Sequence, residues 1–286
     1  MSTNGRPLDL EELGTGDVRA RIEAGADTVL VPLGSVERHG NPFTPLGLDG
    51  IIVREIVERA AAKADVLHTP LMPFGWAPMH VGPPGEGGGA VTLRAETFRS
   101  VMEDVARSLI YQGFDKLLFC TLHGPNVDVA EDALYSLRIE TGAFVALYGG
   151  RESSAIDEIF ESPPARLTSD LECSMAMALV GERFQSEEYR SRAYDVSPPQ
   201  WMGEAFSKVS GMGSILEFQG APNIHLGLDD SEYTRKAIEN PPPSEANAER
   251  GERLLDSLSE HLAEFVREAK RLEVQVHQRD WPERAR

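Results

Sequence analysis

The sequence predicts an α/β protein: three layers, α-β-α, around a mostly parallel central sheet. Three observations carry this. Short apolar runs alternate with longer stretches whose apolar residues recur at helical spacing, the pattern of strands laid between helices. The best of these runs is almost continuously apolar, as a parallel strand covered on both faces should be. A hydrophobic content of 41% over 286 residues is enough for a sizeable core. With no internal repeat and no linker, residues 1–286 read as one domain.

The elements follow in order. Thr28–Leu33 is a buried strand, and 47–62 is a helix with Ile51, Ile52, Ile56, Val57 and Ala60 at helical spacing. Asp65–Met72 is a second strand, followed by a Gly/Pro-rich loop from Pro73 to Gly89. Phe98–Tyr111 is an amphipathic helix with Val101, Val105 and Leu109 inward, stopped by Gly113. Lys116–Leu122 is a central strand, Val127–Glu140 a helix and Ala143–Tyr148 a further strand. Asp170–Leu179 reads as helical, while Gly203–Asp230 has a mixed pattern that assigns no element. After Pro241–Pro243, Ser244 is expected to cap a long helix to about Leu272, with Leu254, Leu255, Leu258, Leu262, Phe265, Val266 and Ala269 on one face.

Composition excludes several function classes. Lys and Arg number 28 against 46 Asp and Glu, a net charge of −18. Such a surface repels phosphate backbones and anionic lipid, so neither nucleic acid nor a membrane is an expected partner. The two cysteines, Cys120 and Cys173, allow no disulfide framework, and Cys120 reads as a small buried hydrophobe. The polar opening Met1–Pro7, with no apolar segment after it, predicts no secretory signal, and no apolar run is long enough to span a bilayer. A cytoplasmic protein is the expectation.

Chemistry concentrates at strand ends. Glu37 and His39 lie in Gly34-Ser-Val-Glu-Arg-His-Gly40, Asp49 follows ten residues after His39, and His123 lies in Leu122-His-Gly-Pro-Asn126. In doubly wound folds ligands sit outside the carboxyl ends of the strands. Oxygen and nitrogen donors gathered there suit zinc, manganese and related divalent ions, which can turn water into a nucleophile. Each residue alone has a plainer reading: Glu37 with Arg38 as a solvated turn pair, Asp49 as a helix cap, Glu172 as a helix surface residue. It is their coincidence at strand ends that favours a metal.

These segments resemble the creatininase family. Leu33–Gly40 is similar to its strand followed by Gly-Ser-x-Glu-x-His-Gly, and Pro45–Asp49 to its Leu-Pro-x-Gly-x-Asp. Leu122–Asn126 resembles Asn-Gly-His-Gly-Gly-Asn, Glu172–Ser174 resembles Glu-Thr-Ser, and Ala246–Leu254 resembles the closing helix. The resemblance implies a creatininase-like fold holding one or two divalent ions, zinc or manganese. Glu37, Asp49 and His123 would hold one, and His39, Asp49 and Glu172 the other, with Asp49 bridging. It also implies a small cyclic substrate and a homo-oligomer, commonly a hexamer.

The departures bear on the substrate. One extra residue separates His39 from Asp49, the family's second histidine after His-Gly is absent near Phe43 and Thr44, and Thr121-Leu122 replaces Asn-Gly. The family's proton-donating histidine is Leu167, which cannot transfer a proton, so creatinine itself is disfavoured. His80, in the Gly/Pro loop, is the substitute candidate, weighed evenly against a hydrogen-bonded surface histidine. Glu172 is the second catalytic candidate; His225 is a lesser one, and His68, His261 and His277 read as structural or exposed. Pro84–Ala90 lacks the strand and helix a dinucleotide fingerprint needs, and neither Ser35 nor Ser174 sits in a nucleophile elbow. The expected function is opening of a small cyclic amide or related C–N bond. Ring opening of a cyclic polyol ketone is the alternative, and a non-catalytic metal-binding scaffold the reading of another class.

Overall fold

The computed structural model describes residues 8–39, 44–149, 159, 169–181, 194–197, 200–209, 215–228, 234–237 and 246–281. The central sheet contains β1 (Thr28–Leu33), β2 (Leu67–His68), β3 (Lys116–Thr121) and β4 (Phe144–Tyr148), in spatial order β2-β1-β3-β4. Every neighbouring pair is parallel, and β1 and β3 pair along their whole length from Thr28 opposite Lys116 to Leu33 opposite Thr121.

Side chains alternate across this sheet with the period of two that strands impose. Leu30, Leu118 and Cys120 face one core, shared with α2 (Leu48–Ala64), α5 (Ser169–Val180) and α6 (Ala248–Lys270). Val29, Val31, Leu33, Leu117 and Phe119 face the other, shared with α3 (Ala95–Gln112) and α4 (Gly124–Thr141). The three-layer expectation is met. The connectivity also creates a crevice. From β1 the chain moves outward to β2 and then returns to β3 and β4, so the order reverses between β1 and β3. Their carboxyl ends are where a ligand belongs in such a sheet.

Several local expectations need correction. Helix α1 (Thr15–Glu23) had no sequence assignment, although Asp17 accepts the Gly14 N–H at its start and Val18 and Ile22 pack on the core. Strand β2 pairs only at Leu67 and His68, not over Asp65–Met72, because Pro70 has no N–H to give the ladder; the chain rejoins β1 at Met72, whose N–H donates to the Pro32 carbonyl. Helix α3 begins at Ala95 and buries Phe98, Met102, Ala106, Leu109 and Ile110, which leaves Val101 exposed rather than inward. Gly113 ends it in the left-handed conformation at φ 116°. The long helix α6 is capped by Asn247, whose side chain accepts the Arg250 N–H at 2.8 Å; Ser244 lies outside the described residues.

The unassigned stretch contains β6 (Phe206–Val209), β7 (Ile215–Phe218) and β8 (Ala221–His225) as an antiparallel sheet, while β5 (Tyr194–Ser197) pairs antiparallel with β9 (Thr234–Ala237). Among the described residues no helix is long and apolar enough to cross a membrane.

Candidate metal centre

The β1 exit and the start of α2 are pressed together. A Cβ on Gly34 would come within 2.9 Å of the Gly50 Cα, so only glycine allows this approach. It brings Asp49, in the first turn of α2 and 1% exposed, beneath the loop after β1. Ser35 fixes the carboxylate, its Oγ donating to Asp49 Oδ2 at 2.8 Å. Across the crevice, β3 delivers His123 as the residue preceding α4.

His123 Nδ1 lies 3.0 Å from Glu37 Oε2 and 3.2 Å from Asp49 Oδ2. On the other side of the ring, Nε2 sits 3.1 Å from the Trp76 carbonyl. A carbonyl accepts only from an N–H, so the proton belongs on Nε2 and Nδ1 is the atom aimed at the carboxylates. All three residues are buried, and one donor atom from each falls within 4.8 Å of the others. Glu37 Oε2 is buried without a hydrogen-bond partner. Leaving such an oxygen unanswered is costly, and a cation between the three donors answers it. Without one, a proton on His123 is the available compensation. Burial opposes that charge, but Asp49 and Glu37 outweigh it and raise the imidazole pKa to about 10.

Of the other expected residues, His80 lies beside this group. His80, in a 3₁₀ turn over Pro78–His80, puts Nε2 3.5 Å from Glu37 Oε2, its ring centroid 6.3 Å from that of His123. His39 Nδ1 faces Glu172 Oε2 of α5 at 4.0 Å, while His39 Nε2 is buried with no hydrogen-bond partner. His39 and Glu172 thus form a pair of their own; the three-residue cluster is Glu37, Asp49 and His123.

Leu167, Phe43 and the side chain of His225 lie outside the described residues. His68 contacts the Thr69 carbonyl, His261 meets the Tyr148 hydroxyl at 2.8 Å, and His277 is exposed. Cys120 is buried, and burial pushes its thiol far up, as an inert core residue requires.

Three contributors escaped the sequence reading. Ser35 reads from sequence only as a serine outside any nucleophile elbow, yet it orients Asp49. The Trp76 carbonyl carries no sequence signal, because every residue has one. Asn126, 0% exposed, had no role, yet its Oδ1 accepts the Trp76 N–H at 2.9 Å and its Nδ2 donates to the Gly34 carbonyl at 3.0 Å and Thr121 Oγ1 at 3.2 Å. It ties the β1 exit, the Gly/Pro loop and the β3 exit into one frame. Its place within Leu122–Asn126 was the available signal.

Comparison with known proteins identifies the family. The family model described as creatininase, creatinine amidohydrolase, matches residues 11–266. The mycofactocin precursor peptide peptidase of Mycobacterium ulcerans (strain Agy99) is 32% identical over 137 residues, 46% of this chain and 53% of the peptidase. That alignment therefore spans about half of the relative's length. The 3-dehydro-scyllo-inosose hydrolase of Thermotoga maritima is 24% identical over 264 residues, 88% of this chain and 80% of that protein. Among solved structures, creatininase in a manganese form superposes with a TM-score of 0.64 at 19% identity, covering 93% of this chain and all of that one. At that identity the likeness shows the fold.

Proposed function

The chain belongs to the creatininase family of metal-dependent hydrolases, and from that membership we propose that it opens a small cyclic amide or related C–N bond. The observation that carries this is the buried group of Glu37, Asp49 and His123, with Glu37 Oε2 unsatisfied and His123 Nδ1 turned inward by the Trp76 carbonyl. These three side chains would hold one divalent ion, and His39, Asp49 and Glu172 a second. Manganese or zinc suits such oxygen and nitrogen donors. When bound, the ions would acidify a water and polarise a carbonyl.

The chain's own residues do the rest. Ser35 holds Asp49 against rotation, and the Trp76 carbonyl keeps the His123 proton on Nε2. His80, with Nε2 3.5 Å from Glu37 Oε2, is the side chain we assign to carrying a proton in place of the histidine that Leu167 lacks. Glu172, which faces His39 at 4.0 Å, would hold the second ion beside it.

A second reading is ring opening of a cyclic polyol ketone by C–C cleavage. It is supported by the likeness to the inosose hydrolase over 88% of this chain and 80% of that protein. The peptidase likeness keeps acyclic peptide bonds within the C–N class. We further propose a single domain acting as a cytoplasmic homo-oligomer, the assembly being what the resemblance implies; light scattering tests it. Turnover of the manganese- and zinc-loaded chain on ring amides, short peptides and cyclic polyol ketones tests the reaction. Hydrolysis confined to C–N bonds supports the first reading, and hydrolysis confined to ketones replaces it with the second. A loaded protein inert on all three classes argues for a binding scaffold.

A further inference from the structure

Arg38 stands between two candidate ligands in sequence, and its side chain reaches the loop that carries His80. Nε donates to the His80 carbonyl at 3.2 Å, and Nη1 meets Glu86 Oε2 at 2.8 Å. The side chain is cradled by backbone. A Cβ on Gly82 would clash with Glu86 Oε2 and come within 2.8 Å of Arg38 Cζ, and one on Gly88 within 2.8 Å of Arg38 Cδ. Neither position has room for a side chain while the arginine lies there.

The ion pair is lopsided. The Arg38 side chain is 20% exposed and built in, whereas that of Glu86 is 46% exposed. Glu86 also sits among Gly82, Gly85, Gly87 and Gly89, all at positive φ, a backbone with wide conformational freedom. A pair this open to water contributes little to stability, so another carboxylate can replace it at small cost. The guanidinium is a planar fork suited to such an exchange. The His80 that it grips by the carbonyl puts its ring beside Glu37.

We propose that Arg38 anchors a carboxylate carried by the substrate, with Glu86 holding that place in the free protein. This rests on the hydrolase reading and narrows it: the substrate is a small amide bearing a carboxylate close to the scissile bond. The chain's net charge of −18 disfavours anions at long range, so recognition falls to the short-range fork.

The test is binding of N-acetylglycine and its neutral counterpart N-acetylglycinamide to the manganese-loaded full chain, by calorimetry and by the Arg38 Nε–H resonance. Glu86→Gln removes the resident carboxylate and should tighten N-acetylglycine by about tenfold, leaving the amide unchanged. Arg38→Gln should abolish the preference for the acid, and Arg38→Lys, which keeps charge without the fork, should retain only part of it. If Glu86 is instead a staple for the loop, Glu86→Gln will weaken both probes or leave the acid unaffected. That result overturns the proposal, as does an acid preference surviving Arg38→Gln or no binding of N-acetylglycine to any variant. Metal content of the same samples separates the two ideas. Bound manganese without acid preference defeats the carboxylate anchor alone, whereas acid preference without metal defeats the hydrolase reading alone.

Discussion

The candidate centre has two halves that differ in how firmly the fold prepares them. Glu37, Asp49 and His123 are buried, with His123 Nδ1 3.0 Å from Glu37 and 3.2 Å from Asp49, His123 being held from behind by Trp76 and Asp49 by Ser35. His39 and Glu172 face one another at 4.0 Å, with His39 Nε2 left without a hydrogen-bond partner. The first half is drawn from the exits of β1 and β3 and the first turn of α2, which lie side by side wherever the parallel sheet forms. The second joins the loop after β1 to α5, a helix that packs against α2 and α6. On the proposed reading, the contrast teaches that one ion site would be preformed by the sheet itself, and that the other would draw its last order from the ion placed there.

The largest expected effect comes from the residue assigned to both halves. Asp49→Ala should abolish binding of both ions, whereas His39→Ala should leave one ion on the chain. Metal stoichiometry by elemental analysis checks this; equal losses in the two variants would break the distinction between the halves. Next is His80→Ala, expected to lower turnover about a hundredfold with metal content intact. The fall should shrink on substrates whose leaving group is already a stable anion, and unchanged kinetics would remove His80 from the site.

A smaller effect should follow from the frame behind the first half. Asn126→Ala leaves the Trp76 N–H and the Gly34 carbonyl unsatisfied in a buried setting, at a cost of about 1–3 kcal/mol in stability. Because Trp76 in turn holds His123, affinity for the preformed site's ion should fall about 10–100-fold. Denaturant unfolding and metal titration measure the two losses separately. Loss of stability with metal affinity unchanged would make Asn126 a core residue only.

The smallest effect is a dependence on pH. In chelated protein the His123 pKa is raised from its ordinary value of 6.5 to about 10 by Asp49 and Glu37 acting against burial. The stabilisation this brings is fully present below about pH 6.5 and is lost as pH rises through about 10. An ion must displace that proton, so metal affinity should instead rise with pH over the same window. Melting temperatures with and without chelator should therefore diverge as the solution becomes alkaline. Parallel curves would mean that no proton is exchanged for the ion.

Much of this was legible in the sequence, for physical reasons. A strand covered on both faces must be apolar throughout, so β1 and β3 announced themselves and with them the strand ends where Glu37, His39 and His123 lie. Chemistry in side chains could be read; chemistry in backbone could not, which is why the Trp76 carbonyl was invisible and Asn126, whose partners are mostly backbone, went unassigned. The misplaced inward face of α3 has a similar cause. Val101 fits the apolar period, but the packing is set by Phe98, Met102 and Ala106, and a small alanine does not stand out as core. Strand β2 was overextended because apolar content outweighed one proline.

The most direct test of the central claim is elemental analysis of the full chain purified without chelator, followed by titration of the stripped protein with manganese and with zinc. Tight binding of at least one ion per chain is predicted, lost in His123→Ala and retained in His39→Ala. Protein that carries no divalent ion and refuses both when offered would contradict it.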